Sequence, residues 1–97
     1  MSGSSHQWEP YIWEPVHYVG RDFRVTYGFA GDVEELVAIF GSGESELRRS
    51  FTVSNGIAEV IIPAAVMDMV PDRTEAKIEI KTGGQWHLMC LGHLTRR

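Results

Sequence analysis

The sequence predicts an all-β domain: an antiparallel sandwich or barrel with one short helical crossover and an extended N-terminal arm. Three observations carry this. Apolar and polar residues alternate with period two in one segment after another. Glycine-bearing turn signals separate those segments at roughly regular spacing. Asn55-Gly56 sits between two such segments, and both residues tolerate the positive φ that a type I′ hairpin turn requires.

The chain divides near Gly20, into an arm over 1–19 and a β domain over 20–97. The arm opens on a Ser/Gly-rich tip and then carries Trp-Glu-Pro twice, at Trp8-Glu9-Pro10 and Trp13-Glu14-Pro15. Each proline fixes its own φ and pushes the glutamate before it toward extended backbone, so no regular helix forms there.

The β domain begins with Phe23, Val25, Tyr27 and Phe29 alternating on one face. Ala30-Gly31-Asp32 reads as a turn. The next strand lies within 33–40, with Val37 and Ile39 on one face; its start at Val33-Glu34-Glu35-Leu36 is equally compatible with a short helical turn. After Gly41-Ser42-Gly43, residues Leu47, Arg49, Phe51 and Val53 alternate, and the Asn55-Gly56 turn leads into a returning strand over 57–62. Residues 47–62 are therefore expected to form one hairpin. Ala64, Ala65, Met67 and Met69 favour helix, Pro63 suits a first helical position and Pro71 stops it, giving one or two turns crossing between strands. Ala76, Ile78 and Ile80 then alternate with Glu75, Lys77, Glu79 and Lys81. Gly83-Gly84 turns the chain into a last strand with Trp86, Leu88 and Cys90 expected on one face and His87, Met89 and Leu91 on the other. A strand apolar on both faces belongs in the middle of a sheet or under a neighbour.

Composition excludes several functions. The net charge of −4 is spread along the chain, without the basic stripe of a nucleic-acid binder; the only basic clusters are Arg48-Arg49 and Arg96-Arg97. No apolar run approaches the roughly 18 residues of a membrane-spanning helix. The N-terminal residues lack the basic start and apolar centre of a signal peptide, so the chain is expected to be made in a cytoplasm and not exported by the usual route. One cysteine allows no intrachain disulfide.

Catalytic and metal chemistry find little support. Of the four histidines, His87 and His93 share a strand face but stand about 20 Å apart at ~3.3 Å per residue. No Cys-x-x-Cys or His-x-x-x-His spacing occurs, so neither a metal nor an organic cofactor is expected. The carboxylate pairs Glu34-Glu35, Glu44 with Glu46, and Asp68 with Asp72 fall at turns and a helix end, where water solvates them. Gly41-Ser42-Gly43 lacks the lysine of a phosphate loop. Cys90 lies in an apolar run and is expected to be a buried, unreactive thiol; a small hydrolase pairing it with a histidine is the enzymatic rival.

The candidate binding residues are in the arm: Trp8, Pro10, Tyr11, Trp13, Pro15 and Tyr18. Trp and Tyr are the side chains most enriched at binding hot spots, and two prolines lower the entropy lost on docking. Docking on a neighbouring protein is the expected role of this arm, with folding back over its own domain as the alternative.

From Gly20-Arg21-Asp22 onward the chain resembles a family of small immunoglobulin-like β-sandwich domains in tailed-phage virion proteins, the N-terminal domain of the baseplate upper protein among them. The resemblance rests on that lead-in to the first strand, on the strand within 33–40, on Gly56-Ile57-Ala58-Glu59-Val60-Ile61-Ile62, and on the crossover from Pro63-Ala64-Ala65 to Val70-Pro71. Lys77-Ile78-Glu79-Ile80, Gly83-Gly84 and Leu91-Gly92-His93-Leu94 complete it. It implies an immunoglobulin-like sandwich and a non-enzymatic virion component: a tail, baseplate or neck adaptor, or a capsid decoration. Its partners would be other virion proteins and copies of itself. A free-standing sandwich that recognises a peptide or protein is the alternative.

Overall fold

Ten strands arrange into three sheets, with one α-helical turn and one 3-10 turn (Gly43–Ser45) between them, in a computed structural model that describes residues 10–97. Trp8 and the Ser/Gly tip lie outside the described residues.

The largest sheet has five strands in the order β1 (Tyr11–Trp13), β9 (Gln85–His93), β8 (Glu75–Thr82), β4 (Glu35–Phe40), β5 (Leu47–Ser50). A three-stranded sheet has the order β3 (Phe23–Gly28), β7 (Ile57–Ile62), β6 (Thr52–Ser54), and β2 (Val16–His17) pairs with β10 (Thr95–Arg96). Leu36, Ala38, Phe40, Ile78, Ile80 and Cys90 of the large sheet pack against Phe23, Ala58, Val60 and Ile62 of the small one. Phe23 and Phe40 join the two layers edge to face at 5.7 Å, a preferred aromatic geometry. Leu36 through Phe40 are all buried, so β4 is covered on both of its faces. Of the ambiguous stretch 33–36, Glu35 and Leu36 belong to this strand, and Val33 and Glu34 are neither strand nor helix.

The crossover is a single turn, α1 (Ala64–Met67), and Met67 plugs the core. Pro63 stands just before this turn rather than inside it, with extended ψ. Proline brings no side-chain oxygen to cap the turn. Asp22 supplies one from 42 positions away: its Oδ1 accepts the Ala64 N–H at 2.9 Å. Asp68, at the other end, accepts the Gly20 N–H at 3.0 Å.

Three expectations are corrected. First, pairing is mixed rather than purely antiparallel, because β1 runs parallel to β9 and β2 parallel to β10. Second, 47–62 is not one hairpin. The chain changes sheets at Phe51, whose side chain is buried in the core and whose N–H donates to Leu36 O at 2.8 Å. Residues before it pair with β4 and residues after it with β7, so the hairpin comprises β6 and β7 alone. Its turn is as expected, with φ of 52° at Asn55 and 75° at Gly56. Third, Trp86 does not share a face with Cys90. The register skips Met89: Ile78 opposes Cys90 while Glu79 opposes Leu88. This bulge reverses the phase of the strand, since one extra residue moves every later side chain to the opposite face.

Candidate interaction surface

The arm residues from Tyr11 to Val19 lie against their own domain. Tyr11, Ile12 and Trp13 pair with Cys90, Leu91 and Gly92, and Val16 and His17 continue at the same offset with Thr95 and Arg96. Between the two short strands Pro15 O accepts from Thr95 N–H at 2.8 Å, and beyond them Val19 N–H donates to Arg97 O at 2.9 Å. The expectation that the arm stands away from the sandwich therefore does not hold for residues 11–19. The reason is backbone pairing made possible by Gly92, where a Cβ would run into the Trp13 carbonyl.

The candidate binding residues divide. Trp13 is half-buried and its ring packs on Phe40 at 5.9 Å; Pro15 is buried. Both hold the arm down. Pro10 and Tyr18 are exposed and Tyr11 is 72% exposed, so these remain at the surface.

His17 is a structural anchor that sequence reasoning did not single out. It is almost wholly buried, and its Nε2–H donates to Arg21 O at 2.8 Å, closing the turn at 18–21. Asp68 Oδ1 stands 3.6 Å from the same nitrogen, and Phe23 meets the ring edge-on at 6.3 Å. Nδ1 is buried without a partner, a cost of about 1–3 kcal/mol that the surrounding packing offsets.

The outward face of the five-stranded sheet carries the side chains that alternation alone did not bring together. Ile12 opposes Leu91, Leu91 opposes Lys77, and Lys77 opposes Ile39. The next rows are Leu88, Glu79 and Val37, then Trp86, Lys81 and Glu35. Val37 and Ile39 are buried, whereas Ile12, Trp86 and Leu91 are 86%, 44% and 37% exposed. An apolar group of this kind, bordered by charge, is a feature of association surfaces. Residues 86–91 concealed it, because either phase of alternation leaves large apolar side chains on both faces of that run. Strand β5, at the far edge, presents Arg48 and Arg49, which discourage edge-to-edge pairing.

A cleft of about 680 Å³ lies between the 41–47 loop and the α1 segment. Phe40, Leu47, Val66, Met69 and Val70 give it an apolar lining, and among the described residues Glu44 and Glu46 are the charged ones that border it.

Reactive groups do not converge on either surface. Cys90 faces the core, and Tyr27 Oη lies 3.8 Å from its sulfur. Burial pushes the thiol's pKa up, against the lowering effect of the Tyr27 hydrogen bond, and burial together with Cys90 pushes the Tyr27 hydroxyl up to about 12. Both groups are thus protonated at neutral pH, the opposite of an activated nucleophile. Among the described residues no three His, Cys, Asp or Glu side chains group to hold a metal ion, and no helix is long and apolar enough to cross a membrane.

No protein-family model matches the chain, and no curated protein matches it.

Proposed function

We propose that this chain is a non-enzymatic structural component of a tailed-phage virion, built as an immunoglobulin-like sandwich and acting through protein–protein contacts. The strand order supports the sandwich. If β3 to β9 are lettered B, C, C′, D, E, F and G, the large sheet reads G-F-C-C′ and the small one B-E-D, the division found in immunoglobulin-like domains. The sequence resemblance supports the virion setting. The observation that carries the contact role is the exposed apolar group of Ile12, Trp86 and Leu91 on the outward face of the five-stranded sheet.

Mass spectrometry of gradient-purified particles from the source of the gene tests this reading: the chain should be present at fixed stoichiometry. Trp86→Ser with Leu91→Ser should lower its incorporation while leaving the isolated chain folded. Particles without the chain would end the proposal.

A free-standing module that binds a peptide or protein is the second reading, and the cleft beside α1 favours it. It requires that Met69→Asp abolish partner binding while changes on the outward sheet face do not.

A further inference from the structure

The outward row of β8 is Glu75, Lys77, Glu79, Lys81, alternating in sign along the middle strand of the five-stranded sheet. Lys77 pairs with Glu75 at 3.8 Å and Lys81 with Glu35 at 3.6 Å. Half-buried Glu79 is in no ion pair among the described residues.

Turned end for end about Ile78, this row is its own complement. Position 75 falls on 81 and position 77 on 79, so an anion meets a cation at every place. A two-fold axis lying between two copies, and crossing β8 at right angles over Ile78, performs this operation. It also sets Ile39 over the partner's Val37, and Leu91 over the partner's Leu88, because these residues flank Lys77 and Glu79 in the register. An axis parallel to β8 would instead set Glu75 on the partner's Glu75 and Lys77 on the partner's Lys77. Like charges so opposed cost several kcal/mol, which excludes that arrangement.

We propose that the outward face of the five-stranded sheet is an isologous interface between two copies of this chain, with β8 running antiparallel over the partner's β8 and centred on Ile78. Packed sheets cross at about 30°, so the contacts nearest the axis dominate: Lys77 with the partner's Glu79, and Leu91 with the partner's Leu88, whereas Ile39 and Val37 are already covered within each copy. The 30 residues of the five strands, about 3.3 Å apart along a strand and about 4.8 Å between strands, offer a face on the order of 500 Å², so the contact is a small one. A standard interface buries about 800 Å² per partner. The inference rests on the reading that the chain works through protein contacts.

Sedimentation equilibrium of the full chain across micromolar concentrations tests it. The unaltered chain should dimerise. Glu79→Lys should weaken the dimer about tenfold or more, since it sets lysine against lysine twice across the axis. Lys77→Glu should do the same with glutamates. The double variant Lys77→Glu with Glu79→Lys restores opposite charges at every position and should return to within about threefold of the original dissociation constant. A monomer at every concentration overturns the proposal without need of any variant. So does a Glu79→Lys dimer of unchanged strength, or a double variant as weak as the singles. A monomeric chain still found in particles would remove the dimer and leave the virion role; a dimer absent from particles would do the reverse.

Discussion

Trp13 lies directly against Gly92, its carbonyl in the space that a Cβ at position 92 would occupy. This contact lets β1 join the edge of the five-stranded sheet and brings the indole over Phe40. Gly92→Ala should therefore destabilise the chain by about 1–3 kcal/mol, because the obstructing atoms are backbone and cannot rotate away. Urea unfolding measures this, and amide exchange should show the Tyr11–Trp13 segment losing protection first.

Trp13→Ala should cost about 2–4 kcal/mol of stability, less than a wholly buried tryptophan, because this one is half-exposed. Tyr11→Ala and Tyr18→Ala should each fall within about 0.5 kcal/mol of the original chain, since both rings are mostly in solvent. Thermal melts of the three variants separate a packing role from a contact role. A stable Trp13→Ala chain would mean that the indole does not hold the arm.

Asp22→Ala should destabilise by about 0.5–2 kcal/mol, the usual cost of losing an oxygen that caps a helical N-terminus. Asp22→Asn keeps that oxygen and should lose less. Chemical denaturation of the pair checks whether the Asp22 bond to Ala64 N–H supports the crossover.

Alkaline conditions should weaken the fold. The Tyr27 hydroxyl is pushed up to about 12 by burial and by Cys90, and the Cys90 thiol is raised by burial. In the unfolded chain these groups ionise near ~10 and ~8.5. The folded state therefore keeps protons that the unfolded state has lost, and stability falls as pH rises from about 9 toward 12. Tyr27→Phe should flatten the upper part of that decline. Denaturant midpoints at neutral and alkaline pH measure it. Thiol labelling of the native chain at pH 7 should be far slower than in denaturant, because Cys90 is buried.

What was legible in the sequence was local. Asn55-Gly56 specified its turn through backbone preference alone, and 75–81 specified its two faces through strict alternation. Pro63 and Pro71 bracketed the crossover. The remainder depended on partners distant in the chain. Phe51 leaves one sheet for another without a Gly or Pro to mark the change, because its buried side chain and its bond to Leu36 determine the break. The bulge at Met89 was invisible in a run where either phase leaves large apolar side chains on both faces. The interaction surface was missed for the same reason: Trp86 and Leu91 reach the outer face only through that bulge, and Ile12 joins them only through parallel pairing across the chain. Tyr11 and Tyr18 were identified from composition, but Trp13 and Pro15 turn inward because Gly92 admits the strand.

The parallel pairing near the two ends of the described chain has a mechanical consequence. From Tyr11 beside Cys90 to His17 beside Arg96 the two segments advance together at one offset. Residue 10 leaves one end of this ladder and residue 97 leaves the other. A pull applied between those points loads the ladder lengthwise, so its hydrogen bonds share the force and must yield together. An antiparallel hairpin pulled at its open end would instead peel one bond at a time. The ladder is thus oriented as a shear clasp with respect to these two points.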